Sequence, residues 1–423
     1  MKCMVKEKII SIEHLDMETT HLPIKPRSTM TRYMALLFAI ACGMAVANIY
    51  FAQPLLDSLA SEFGITYSSI GMVITITQLC YALGLLLIVP LGDLLNRRRL
   101  IIGQMLLSVL SLILVGIAPI VTVLFIGLAV VGLLAVVTQV LVAFAATWAA
   151  PEERGRIVGL VQSGIVIGIL LARTFAGVLT DLAGWRSVYL VSAIMMLIIT
   201  GVLFRILPGD DSERESLSYA NLLRSMFTLF RQERILRIRG ILTLLIFIVF
   251  GTLWTSLVLP LSTTPFSLSH TAIGAFGLAG VAGALGAARA GSLADRGLGQ
   301  FTTCIALVLL LVSWFFIGLV KHSLIALVIG IIILDLSVQA VHVTNQSMIF
   351  TVRPEARSRL TAAYMIFYSI GSATGSIVST SIYANDGWIG VCLFGASVSA
   401  IALLYWIITY RLTEQITVKS DLT

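Results

Sequence analysis

Asp335, Gln339, His342 and Gln346 are spaced four, three and four residues apart within an otherwise apolar run. At 3.6 residues per turn that spacing places them on one face of a helix, as a polar stripe. A carboxylate in apolar surroundings is costly while ionised, so it can take up and release a proton as its surroundings alternate between wet and dry. Asp335 is therefore the first candidate for a proton-carrying group; permanent pairing with a base is the alternative. His342 also exchanges protons near neutral pH, although an interior histidine satisfied by its neighbours is the commoner case. Arg173, again in an apolar run, either holds an anionic group or pairs with an acid, and Arg289 lies nearer a charged loop. Around these groups the apolar runs carry Asn48, Tyr50, Gln53, Gln78, Tyr81, Gln139, Gln162, Trp254, Thr255, Tyr364 and Tyr368. Amide and aromatic groups in a mainly apolar cavity suit a small amphipathic organic molecule, and each of them can instead serve helix packing.

The elements that must position these residues are membrane-spanning helices. The chain has 423 residues, 58% hydrophobic and 12% charged, about half the charged share of a soluble domain. Ile70–Leu91 and Leu100–Thr147 contain no charge at all, and about 20 such residues cross a hydrocarbon core. The pattern predicts about twelve spans, near 33–57, 69–91, 100–118, 121–148, 157–180, 187–207, 240–261, 271–293, 301–320, 323–350, 360–383 and 388–410, in an all-α polytopic membrane protein. Pro54 is expected to kink the first. The net charge of +7 is a matter of topology rather than nucleic-acid binding. Most bases, including Arg97–Arg99, Arg154, Arg156, Arg205–Arg239 and Arg353–Arg359, fall on one side. The other side receives Arg186 and Lys321 with Asp57, Glu62, Asp181 and Asp386. By the positive-inside rule both termini are cytoplasmic. The five cysteines form no CxxC pair, so neither a metal site nor a disulfide framework is expected. Residues 1–32 lack the apolar core of a signal peptide.

Several landmarks recur 203 positions apart. PEERGR from Pro151 returns as PEARSR from Pro354, GWR from Gly184 as GWI from Gly387, and SSIGM around Gly71 as TAIGA around Gly274; Asp93 and Asp295 are 202 apart. Together they argue for duplication of a six-helix unit. The expected organisation is a tail over 1–32, a bundle over 33–207, a linker over 208–239, a second bundle over 240–411 and a tail over 412–423. Within the linker, Leu222, Leu223, Met226, Leu229 and Phe230 have the spacing of an interfacial helix. The duplicate of His342 is Gln139 whereas that of Asp335 is Gly132, so the ionisable groups are not relics of the repeat.

With this parallel duplication, the chain from Tyr33 to Leu412 resembles the major facilitator superfamily. GSLADRG from Gly291 resembles its loop signature G-x-L-A-D-R-x-G-R-R, and GDLLNRRR from Gly92 is a degraded copy that lacks the arginine after Asp93 and has Asn96 for a glycine. Asn tolerates left-handed backbone, so that replacement is mild. ANIYFAQPLL in the first helix is similar to bacterial drug and sugar efflux permeases. The resemblance implies the major facilitator fold of two six-helix pseudo-repeats, and a secondary transporter working by alternating access in the bacterial inner membrane, as a monomer without cofactor. It also implies a conformational latch: Asp93, with Arg97 and Arg98, facing the eleventh helix near Arg359 and Leu360, and Asp295, with Arg296, facing the fifth near Arg156. Export of small amphipathic molecules in exchange for protons is the leading expectation, and proton-coupled uptake of a sugar or organic acid the alternative. An enzyme is not expected: no acid cluster of the DDxxD kind and no GxxxxGK[ST] loop occurs. The series Gly277, Gly280, Gly283 and Gly286 is helix packing rather than a phosphate loop.

Overall fold

In a computed structural model the chain is described over residues 30–150, 153–208, 218–350 and 357–420. The expected N-terminal tail, Pro151, GDDSERES and Arg353 lie almost wholly outside the described residues, as do the side chains of Asp93 and Asp295.

The helices of the first half are α1 (Arg32–Tyr50), α2 (Leu56–Phe63), α3 (Met72–Leu87), α4 (Arg97–Gly116), α5 (Val121–Leu134), α6 (Val137–Trp148), α7 (Arg154–Ala183) and α8 (Trp185–Ile206). After α9 (Tyr219–Gln232) come α10 (Arg234–Ser256), α11 (His270–Ala275), α12 (Gly280–Leu293), α13 (Gly299–Gly318), α14 (Leu324–Phe350) and α15 (Arg357–Ser420). No strand occurs among the described residues. Among the described residues nine stretches are long and apolar enough to cross a bilayer, and the last, Arg359–Tyr410, is long enough for two passes. With the shorter apolar α3 and the α11–α12 segment, the crossings come to twelve in an all-α fold.

The recurring landmarks have physical causes. Gly184 (φ +78°) and Gly387 (φ +64°) form the turns into the sixth and twelfth spans, in backbone that side chains rarely adopt. The tryptophan after each, Trp185 or Trp388, is buried at the start of the next span. Gly71 of the first half lies against Ser376 and Thr380 of α15, and Gly274 of the second lies against the backbone of Arg173 and Thr174 in α7. Each copy thus presents a glycine where the other half approaches closely.

Within the first half, α1 and α7 touch backbone to backbone. A Cβ on Gly164 would fall on the backbone of Ala39, and one on Gly168 on that of Gly43. Gly371 and Gly375 of α15 meet Leu244 and Ile248 of α10 in the same way. Small residues at such crossings let membrane helices pack by direct van der Waals contact.

Some boundaries differ from expectation. The fifth span starts three residues earlier, at Arg154, and the eleventh and twelfth are separated by a single residue, Gly387. The last helix continues to Ser420. The seventh begins at Arg234, which places Arg239 inside it at 1% exposure instead of in the linker. Asn96 is extended (φ −61°, ψ 110°), not left-handed, and its side chain accepts the N–H of Arg99 at 3.1 Å as the N-cap of α4. The linker does contain an amphipathic helix, α9, with Leu222, Met226 and Leu229 buried. Tyr219 Oη donates to Leu87 O (2.8 Å) in the first half, and Arg359 Nη1 donates to Ser225 Oγ (3.2 Å) from the second, so α9 touches both.

Candidate functional site

The expected kink at Pro54 is a full break: α1 ends at Tyr50, a 3-10 turn follows over Gln53–Leu55, and α2 starts anew. The break turns Gln53 toward α7, where it accepts a hydrogen bond from Arg173 Nε at 2.7 Å. Arg173 is 3% exposed. Its guanidinium carbon lies 3.8 Å from the ring centre of Trp254, 5.3 Å from that of Tyr50 and 5.6 Å from that of Phe250. Trp254 Nε1 in turn donates to Asp335 Oδ1 at 3.1 Å, and Asp335 is 5% exposed. A cation on the first half is therefore joined to a carboxylate on the second through one indole ring. Beside this chain the hydroxyls of Tyr50 and Tyr368 hydrogen-bond across the two halves.

Asp335 has no ion pair among the described residues, so its charge is compensated through Trp254 and the nearby guanidinium. Gly280 and Gly283 of α12 leave room at its side: a Cβ on either would meet Asp335 at about 3.0 Å. The polar stripe from Asp335 to Gln346, about three turns of helix, does not converge here as a whole. His342, two turns along α14, instead faces Tyr364, whose hydroxyl lies 2.9 Å from its Nδ1, and packs edge-on against Phe247.

The remaining candidates divide. Tyr81 is buried and hydrogen-bonds toward Gln139. Gln78 is buried with neither end of its amide partnered. Gln139 and Gln339 are half-buried, and Gln162 is exposed. Thr255 hydrogen-bonds to Ser376 Oγ at 2.7 Å. Asn48 accepts from Ser192 Oγ at 2.7 Å, which turns it toward α8 and away from the centre. A separate crevice of about 350 Å³ runs between α1, α7 and α8, lined by Ile40, Met44, Phe51, Ile167, Leu171 and Met195.

Of the expected latch residues, Arg97 donates to Gly92 O and Thr147 Oγ1, both at 2.9 Å, and Arg98 donates to Phe204 O at 2.6 Å. These partners all belong to the first half. Arg296 is exposed.

The opposite end of the bundle holds a cluster that sequence reasoning missed. His270, at the start of α11, lies with Nδ1 3.0 Å from Asp181 Oδ1 and Nε2 3.2 Å from Asp57 Oδ1, with Ser58 Oγ at 2.9 Å. Asp181 also accepts the backbone N–H groups of His270 (3.1 Å) and Thr271 (2.7 Å) at that helix start. The hydrogen bond to Asp57 holds the His270 imidazole above its ordinary value, partial burial opposes this, and Asp181 adds to the rise. Thr174 Oγ1 donates to Gly274 O (3.0 Å) just inside, and Glu62 anchors Trp185 and Arg186 alongside. The halves are thus closed at this end. At the other end, Arg154, Arg156, Leu160, Gln162 and Ser163 of α7 are exposed. The signal for the cluster was present as acids at two span ends, but the partners lie 213 and 89 positions apart.

The model of the family described as Major Facilitator Superfamily matches residues 36–351 and 240–420. A protein of Escherichia coli strain K12 named as the transporter YgaY is 47% identical over 382 residues, covering 90% of this chain and 97% of its own. A Streptomyces coelicolor protein named as the transporter SCO4007 is 30% identical, covering 91% and 88%. The inward-facing, occupied crystal structure of a bacterial homologue of the human lysosomal transporter Spinster superposes with a TM-score of 0.72 at 12% identity, over 92% of this chain and 97% of that one.

Proposed function

Since the chain belongs to the Major Facilitator Superfamily and is a multi-pass membrane transporter rather than an enzyme, we propose that it is a proton-coupled secondary transporter of small amphipathic organic molecules, with Asp335 as the proton site. The observation that carries this reading is the Arg173–Trp254–Asp335 chain across the two halves. An ionised Asp335 holds the indole N–H by a charge-assisted hydrogen bond worth about 1.5–3 kcal/mol, against about 1 for a neutral acceptor. The same ring carries Arg173, a contact worth about 0.5–2 kcal/mol. Protonation of Asp335 therefore loosens the seam by about 0.5–2 kcal/mol, which is roughly a two- to thirty-fold change in the balance of states. Alternating access needs such a dependence of seam strength on proton occupancy.

The remaining parts follow from this frame. The proposed bundles run over 33–207 and 240–411, joined by the linker, with both termini in the cytoplasm of a bacterial inner membrane and the chain acting as a monomer. In that orientation the closed His270 end faces outward, and the exposed end of α7 supports an inward-facing state. Asp93, Arg97, Arg98, Asp295 and Arg296 keep the proposed latch role at the cytoplasmic end. Export requires that the substrate displace the proton, and uptake that the two bind together.

Reconstituted protein tests the proton site. Asp335→Asn should abolish accumulation driven by a pH gradient while leaving substrate counterflow intact. Gradient-driven accumulation unchanged in Asp335→Asn would remove Asp335 from coupling.

A further inference from the structure

Arg173 and Gln53 have more donors than their surroundings use. The bond from Arg173 Nε to Gln53 Oε1 fixes which end of the amide faces the guanidinium. Arg173 Nη2 and Gln53 Nε2 are left as two donors on adjoining groups, both fully buried and both without an acceptor. Buried donors are normally satisfied. Among the described residues no carboxylate forms an ion pair with Arg173; Asp335 acts on it through space and is bonded to the Trp254 ring between them.

The chemistry of such a place is restrictive. It offers a positive charge and two unpartnered donors between the flat apolar faces of Trp254, Tyr50 and Phe250. A planar two-oxygen anion matches adjoining N–H donors, and a hydrocarbon body fits the aromatic walls. A cationic amphiphile is repelled, and a ligand without acceptor oxygens leaves both buried donors unmet. The donors lie on the first half and Trp254 on the second, so separating the halves uncovers them and closing the halves seals them.

We infer that Arg173 and Gln53 bind the carboxylate of the transported molecule, an organic acid anion that crosses together with the proton on Asp335. The inference rests on the reading of Asp335 as the proton site. With the site empty, ionised Asp335 balances Arg173; with the anion bound, the centre is neutral again only when Asp335 carries a proton. Anion binding therefore draws a proton onto the protein, and by reciprocity the proton raises affinity for the anion. The other titratable groups facing the pair are Tyr50 on α1 and Tyr368 on α15, with His342 and Tyr364 beyond them. Binding of both together replaces the exchange that the family resemblance implied, and an inward proton gradient then drives uptake.

The test uses the purified full chain in lipid nanodiscs with benzoate, phenylacetate and octanoate, each paired with its primary amide. Calorimetry reads affinity and an indicator dye reads proton uptake. At least one carboxylate should bind ten-fold or more tighter than its amide, about ten-fold tighter at pH 6 than at pH 8, with protons taken up. Gln53→Glu supplies the guanidinium with an internal carboxylate, so it should fold with undiminished melting temperature and lose carboxylate binding at least ten-fold. Asp335→Asn should bind the anion without proton uptake. Binding of no carboxylate, equal binding of the amides, proton release, or full binding by Gln53→Glu would each overturn the carboxylate site. Gradient-driven transport of the amides would overturn it while leaving proton coupling in place. Carboxylate binding that persists while Asp335→Asn still accumulates substrate normally would instead strike at the proton site alone.

Discussion

Replacing His270 by Gln removes a group that joins three helix ends of both halves. As imidazolium, His270 donates from both ring nitrogens, to Asp181 at 3.0 Å and to Asp57 at 3.2 Å. As neutral imidazole it has one N–H, so one arm of the clamp lapses. The closed clamp holds His270 above its ordinary 6.5, first through Asp57. The closed state thus binds the proton more tightly than the open one. Its extra stability is complete below about pH 6.5 and is lost as the pH rises through the raised value. One charge-assisted hydrogen bond is worth about 1.5–3 kcal/mol. With the side chain about a fifth exposed (22%), screening reduces this to about 1–2 kcal/mol, a factor of about 5–30 in the closed-to-open ratio. A cysteine replacing Thr174, just inside the clamp, reports opening through its reaction with a membrane-impermeant maleimide. Reaction at the exposed position 182 corrects for thiol chemistry. Corrected labelling should be slow at pH 6, accelerate above pH 7, and in His270→Gln run about 5–30-fold faster at pH 6 with no pH dependence. The same pH slope in both proteins would refute the assignment of the clamp to His270.

Trp254→Phe keeps a ring over Arg173 but removes the donor to Asp335; coupling ratio should fall several-fold with substrate affinity retained, as read by proton-to-substrate stoichiometry in liposomes. Gly387→Ala forces a side chain into backbone at φ +64°, ψ −159°, which costs about 1–3 kcal/mol and should lower the melting temperature, with Gly184→Ala behaving alike. Arg239 is buried with Nε and Nη2 unpartnered, so Arg239→Met should leave the melting temperature unchanged or raise it, since an ill-compensated buried charge is a net cost.

Much of the architecture was legible because it repeats. Gly184 and Gly387 recur 203 positions apart since the same turn is made twice, and Gly71 and Gly274 since each half approaches the other through a glycine. Asp335 and Arg173 were visible as charges in apolar runs. What joins them was not: Trp254 reads as one more aromatic until its N–H is seen on Asp335. Asn48 looked equally suited to a cavity but is spent on Ser192. His270 lies outside the apolar spans and was indistinguishable from a loop residue, because its partners come from helix ends on the other half. Arg239 was hidden by a boundary, since a base next to Arg234 and Arg237 reads as part of a charged linker.

The backbone contact of Gly164 and Gly168 with Ala39 and Gly43 leaves no side-chain cushion between α1 and α7 along which they could slide. The two behave as one plank, and Gln53 and Arg173 are mounted on it together. Asp335 stands on the opposing leaf of the hinge. Under the proposed function cargo and proton are thus carried by separate leaves, and the face of one indole is among the joints that must part at every turnover.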